Sequence, residues 1–150
     1  MRKLLVFVLA FCAFATPCFA NKLGNRFQST DSVAMNKSRA VLPIHGVITV
    51  TKEGLNTRVS VSIVNADKSP LRIGPTTDVL YFRTNDNAMH QLDLINAEYN
   101  KRIVNPSENT VVNLTLSGLD LMEKLKRDKV VSFIYAMTDG EISLHYNRIK

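Results

Sequence analysis

From Leu42 to the C-terminus, hydrophobic and polar residues alternate with a period of two. That is the repeat of strands with one face in a core and the other toward water. In IHGVITVT (44–51), Ile44, Ile48 and Val50 share one face, and His45, Val47, Thr49 and Thr51 share the other. RVSVSIVN (58–65) sets Val59, Val61 and Ile63 against Arg58, Ser60 and Ser62. KEGLN lies between them as a turn, so the two runs predict an antiparallel pair. NADKSP breaks the pattern before DVLYFRT (78–84), which is dense in β-branched and aromatic residues. NDN (85–87) predicts a turn and AMHQLDLI (88–95) a weaker strand. RIVNPSEN (102–109) reads as an approach and turn into TVVNLTL (110–116), whose Val112, Leu114 and Leu116 face inward.

The period changes once. In SGLDLMEKLKRDK (117–129), Leu121 and Leu125 lie four apart with Met122 on the same side, predicting a helix of about two turns. Asp120 with Glu123, or Ser117 with Asp120, is placed to cap it. Glu123 and Arg127 have the spacing of a favourable i,i+4 ion pair. The chain closes with VVSFIYAM (130–137) and ISLHYNRI (142–149), joined by TDGE. Asp139-Gly140 between two β-rich runs is a strong hairpin signal, because the tight turn needs positive φ. The first of these strands is apolar on both faces apart from Ser132, which predicts a central position. The last sets Ile142, Leu144 and Tyr146 against Ser143, His145 and Asn147.

These elements predict an all-β fold: an antiparallel β-sandwich of about seven strands with one short helix between late strands. The late order of strand, helical crossover, central strand, hairpin and last strand resembles the end of an immunoglobulin-like or fibronectin-type domain. The resemblance is one of architecture. The disulfide and core Trp of immunoglobulin domains are absent, so it transfers no site residues, and such folds host many activities.

The N-terminus is patterned differently. Arg2 and Lys3 precede an uncharged apolar run from Leu4 to Ala15, followed by Pro17 and a small residue, Ala20, before polar Asn21. A basic start, an apolar middle and a small residue at the exit predict a signal peptide over residues 1–20, cleaved between Ala20 and Asn21. The run is too short to span a bilayer. Cleavage removes Cys12 and Cys18, the only cysteines. Neither follows the small residue that a lipid anchor requires. The expected mature chain therefore carries no disulfide, thiol nucleophile or cysteine metal site. Residues 21–40, NKLGNRFQSTDSVAMNKSRA, are polar and aperiodic, and predict a flexible N-terminal arm ahead of a single domain over 41–150, the alternative being a strand that docks on a partner's sheet edge.

Charge adds little. Without Arg2 and Lys3, seventeen basic residues face thirteen acidic ones, a net charge of +4. That is an ordinary balance, without the concentrated basic face of a nucleic-acid binder. The expected mature chain has no second apolar run long enough to cross a membrane.

Candidate chemistry is sparse. His45, His90 and His145 are far apart and show no metal-ligand spacing, although His45 and His145 would meet if the first and last strands were neighbours. No G-x-S-x-G elbow is present. Asp120, Glu123 and Asp128 are interleaved with cations that would hold them ionised. The basic run KLKRDK gives Lys124, Lys126, Arg127 and Lys129 as a partner-binding corner, much of its charge offset by those acids. Asn36-Lys37-Ser38 and Asn113-Leu114-Thr115 match the glycosylation triplet, as an Asn-rich chain does by chance. In 65–78, Pro70 and Pro75 would stiffen an exposed loop.

The resulting expectation is an exported, non-catalytic binding module with no cofactor. It would act in the periplasm or cell envelope as an accessory protein of a pilus, secretion or adhesion assembly, bound to a protein partner and not to nucleic acid. The alternative is a secreted inhibitor of an envelope enzyme acting through the 65–78 loop.

Overall fold

A computed structural model describes residues 26–34, 41–74, 78–137 and 142–148. The fold is all-β and antiparallel, with one short helix. The described strands are β1 (Arg26–Ala34), β2 (Val41–Leu42), β3 (Ile44–Glu53), β4 (Asn56–Asn65), β5 (Leu71–Arg72), β6 (Val79–Thr84), β7 (Met89–Leu92), β8 (Glu98–Tyr99), β9 (Ile103–Val104), β10 (Asn109–Ser117), β11 (Val130–Met137) and β12 (Ile142–Arg148). The helix α1 (Asp120–Lys126) lies between β10 and β11. Ten strands form one sheet in the order β7-β6-β11-β12-β1-β3-β4-β10-β8, with β2 alongside β1. The sheet curls into a half-barrel. β5 and β9 form a separate two-stranded ribbon. Pairing thus runs unbroken through ten strands, where about seven were expected.

The alternation read from the sequence sets which face is buried. Ile44, Ile48 and Val50 of β3, Val59, Val61 and Ile63 of β4, and Val112 and Leu114 of β10 are in the core. From the other side of the curl come Leu80 and Phe82 of β6, Phe133, Tyr135 and Met137 of β11, and Leu144 and Tyr146 of β12. β3 and β4 pair from Ile44↔Asn65 to Glu53↔Asn56, so Gly54 and Leu55 alone make the turn. Gly54 has φ +62°, the positive value that such tight hairpins demand. β11 lies between β6 and β12, as its two apolar faces predicted. Its hairpin with β12 is in register from Ser132↔Asn147 to Met137↔Ile142. The Asp139-Gly140 turn falls outside the described residues.

Two expectations are corrected. Residues 26–34 are not a flexible arm but a strand in the middle of the sheet. β1 pairs with β12 on one side (Phe27↔Arg148 to Ala34↔Ile142, irregular between Ser29 and Ser32) and with β3 on the other (Arg26↔Thr49 to Ser29↔Gly46). Phe27 is fully buried, its ring edge-on to Phe133 at 4.8 Å between centroids. A buried aromatic and main-chain hydrogen bonds on both flanks hold this polar strand in place. The remaining residues of 21–40 lie outside the described residues. Second, Leu119 stands at the N-cap of α1 and no side chain caps it, so neither expected capping pair forms. The ion pair on this helix is Asp120–Lys124 at 2.9 Å, rather than one from Glu123 to Arg127. Leu121, Met122 and Leu125 are buried as the spacing predicted.

Gly46 marks a close approach of β3 to β4 and to the Tyr146 side chain of β12. A Cβ there would stand 1.8 Å from the Ser62 carbonyl oxygen and 3.2 Å from the Tyr146 hydroxyl. Only glycine permits that approach. The Tyr146 hydroxyl donates to the Ser62 carbonyl at 3.3 Å, and the Val47 N–H donates to Ser62 Oγ at 2.9 Å.

A second polar node fixes the loops at one end. Asn65, fully buried, donates from Nδ2 to the Ser69 and Val104 carbonyls at 2.9 and 2.8 Å, and its Oδ1 accepts from the Asp67 N–H at 3.0 Å. Its own N–H donates to the Glu108 carbonyl, and its carbonyl accepts from the Ser107 N–H. Every polar atom of this residue is used, as burial requires.

Candidate functional site

The described residues that combine burial, polarity and an opening to solvent lie at the free end of the sheet, around β6, β7 and the turn after β7. Asp78 enters β6 with only 4% exposure. Its Oδ2 accepts from the Tyr135 hydroxyl at 2.8 Å and from the Gly74 N–H at 3.0 Å. Tyr135 reaches it because β11 pairs with β6 in the register Tyr135↔Leu80, which sets the phenol at the start of β6. Tyr99 of β8 comes to the same place from the opposite edge of the sheet. Its hydroxyl is buried beside the Tyr135 hydroxyl and near Asp78. The Arg102 guanidinium sits over the Tyr99 ring at 5.9 Å. Burial, and then the Asp78 charge, push the Tyr99 and Tyr135 phenols above the ordinary tyrosine value, so both remain neutral donors.

Beside this cluster is an open groove of about 320 Å³, lined by Asp78, Val79 and residues 91–95. Leu94 anchors the turn in the core, while Ile95 next to it is 66% exposed. The turn is held by the Ile95 N–H donating to Asp93 Oδ1 at 2.9 Å and the Ala97 N–H donating to the Leu94 carbonyl at 3.1 Å.

β7 is the terminal strand of the sheet, paired with β6 alone among the described residues. The Thr84 N–H donates to the Ala88 carbonyl, so the opposed pairs Phe82↔His90 and Leu80↔Leu92 are also the hydrogen-bonded ones. The intervening residues, Met89 and Gln91, therefore turn their N–H and C=O groups away from β6. Met89 and Gln91 are exposed, whereas His90 is half-buried and stacked on Phe82 at 4.7 Å between centroids. An edge that no other described strand covers is a template for another extended chain.

The residues singled out from the sequence are not gathered here. Lys124 pairs with Asp120 and its Nζ lies 5.7 Å from the Phe82 ring centroid. Lys126, Arg127 and Lys129 are exposed at the end of α1, and Asp128 beside them is engaged by Arg148 at 2.6 Å. The Asp120–Lys124 pair is internal to the corner and leaves its net charge as composition implied, while Arg148 of β12 adds one cation against Asp128. Pro70 is exposed, on a short tip whose ends are fixed by Asn65 and by the pairing of Leu71 with Val104. Ala20, Asn21 and Pro75 lie outside the described residues. His45 and His145 do not meet, because β1 separates β3 from β12. His145 instead lies 3.1 Å from Ser143 Oγ, and burial and the nearby Arg83 charge lower its basicity. No cluster of potential metal ligands occurs among the described residues.

Asp78 and Tyr99 escaped the sequence reading because each needs partners far along the chain, Tyr135 being 57 residues from Asp78. Gly46 did carry a readable signal, since an isolated glycine within an alternating strand marks a close backbone approach. Comparisons with protein-family models, curated proteins and solved structures return no match to this chain.

Proposed function

We propose that the protein is an exported, non-catalytic binding module, an envelope accessory protein of a pilus, secretion or adhesion assembly, which holds an extended segment of a protein partner along β7. One observation carries this reading. Met89 and Gln91 aim main-chain groups that pair with no other described strand outward beside an open groove, with Met89 and Ile95 exposed at 48% and 66%. Strand addition takes its affinity from main-chain hydrogen bonds and its selectivity from side-chain pockets, and this edge offers both. Kinship with immunoglobulin-like sandwiches belongs to the same proposal and is supported by the late order of β10, α1, β11 and β12.

The test is Gln91→Pro. Its N–H serves no bond to β6, and an edge strand tolerates proline at such a position. The variant is expected to keep its melting temperature within a few degrees while losing most of the partner recovered from envelope extract and identified by mass spectrometry. Undiminished recovery would reject the β7 edge.

The second reading, a secreted inhibitor, is favoured by the tip at 66–70, where exposed Lys68, Ser69 and Pro70 project between two fixed ends. It requires that the recovered partner be one enzyme, that its activity fall on binding, and that Lys68→Ala with Pro70→Ala relieve the inhibition.

A further inference from the structure

We propose that β1 is an exchangeable strand, and that the slot between β12 and β3 accepts β1 of a second copy of this chain. The argument begins with composition. RFQSTDSVA fills a central place in the sheet with Phe27, Val33 and Ala34 as its only apolar residues. Ordering nine residues carries a large entropic cost, and Phe27 is the anchor seen to be buried against it. Main-chain pairing with β12, β3 and β2 adds to this hold, and it is indifferent to whether the strand arrives from the same chain or another.

The slot also has walls that do not depend on β1. Tyr146 of β12 donates across Gly46 to the Ser62 carbonyl of β4, tying the two halves of the sheet directly. Arg148 ties the end of β12 to α1 through the Leu125 carbonyl and Asp128. Withdrawal of β1 would leave two unpaired edges facing a common gap, with an aromatic-lined site at Phe133 where the Phe27 ring belongs. β1 is followed in sequence by β2, with which it shares only the short pairing Ser32↔Leu42 and Val33↔Val41. Passing the strand to a neighbour, the ordinary route of domain swapping, gives up those two pairs. A second copy offers the same phenylalanine at the same register, so it fits the slot by construction.

The experiment uses the chain from Asn21 onward, which carries no cysteine of its own. Arg26 faces Thr49 across β1 and β3, close enough for a disulfide when both are cysteine. Chains carrying Arg26→Cys alone and Thr49→Cys alone are mixed, unfolded, refolded together and oxidised. Peptide mass spectrometry is expected to find a 26–49 disulfide joining two different chains. By mass action, its yield should rise several-fold between refolding at about 10 μM and about 500 μM. Adding Phe27→Ala to the Arg26→Cys chain should lower that yield at least about fivefold, because the anchor is lost. A double variant carrying both cysteines should close the same link within one chain when refolded dilute, showing that the fold is intact. The proposal is overturned if the double variant closes its link while the mixture gives none. A cross-chain yield indifferent to Phe27→Ala overturns it as well, since the link would then come from collision rather than from the slot.

Discussion

β11 and β1 are both interior strands, each paired on two sides, yet they are held there by different means. β11 brings Val130, Phe133, Tyr135 and Met137 into the core, while β1 is anchored by Phe27 within a polar sequence. In β11 the side chains specify the position and the main chain follows. In β1 the neighbours pair the main chain on both sides, and Phe27 is the described side chain that anchors it. A central strand therefore need not look central in sequence if the edges on either side of it are already fixed.

The largest test of this contrast removes β1. Deleting residues 21–34 should lower the melting temperature by at least about 15 °C, since it exposes two strand edges and the Phe133 ring at once. A loss of only a few degrees would return the segment to the status of a dispensable arm.

Next in size is the comparison of single aromatics. Phe133→Ala should cost about 3–5 kcal/mol in urea unfolding, as for a fully buried ring in a packed core. Phe27→Ala should approach the same value, because the two rings pack on each other and each truncation opens the same cavity. A double variant should cost less than the sum of the two, which is the mark of a direct contact. Strict additivity would separate the rings and remove the anchor from β1.

Gly46→Ala probes the junction that keeps the halves together. Its added methyl meets a main-chain carbonyl rather than a flexible side chain, so the expected cost is about 1–3 kcal/mol or more. A neutral substitution would mean that β4 can move aside there.

The smallest effect concerns His145, on the outward face of β12. Its folded pKa lies below the unfolded value, so the folded protein prefers the neutral ring. The associated stability is present above the unfolded value of about 6.5 and is lost as pH falls through the lowered folded one. Replacing His145 with Gln should flatten the stability profile over that acid limb and change little at pH 8. An unaltered limb would assign it to other groups.

What could be read from the sequence follows the same division. β3, β4, β10, β11 and β12 were legible because alternating side chains decide their burial, and α1 because Leu121 and Leu125 repeat at helical spacing. β1 was illegible because its order comes from β12 and β3, whose arrangement is tertiary. The paired segments at β5, β8 and β9 are two residues each, too short to show any period. At the groove, DVLYFRT was readable as a strand, but the burial of Asp78 depends on Tyr135 and on the approach of Tyr99. Those partners are set by topology, not by spacing along the chain.

The buried phenols have an optical consequence. The chain has four tyrosines and no tryptophan, so its near-ultraviolet signal is a tyrosine signal. Tyr135 and Tyr146 lie fully within the core, and burial raises both phenols above the ordinary value. A folded molecule holds these protons where the unfolded chain, above pH of about 10, gives them up. The stability that they contribute is therefore complete below that pH and drains away as pH rises. Phenolate absorbance from these rings should lag on an alkaline jump and then grow at the rate of unfolding. The protein thus carries its own spectroscopic clock, legible without a label.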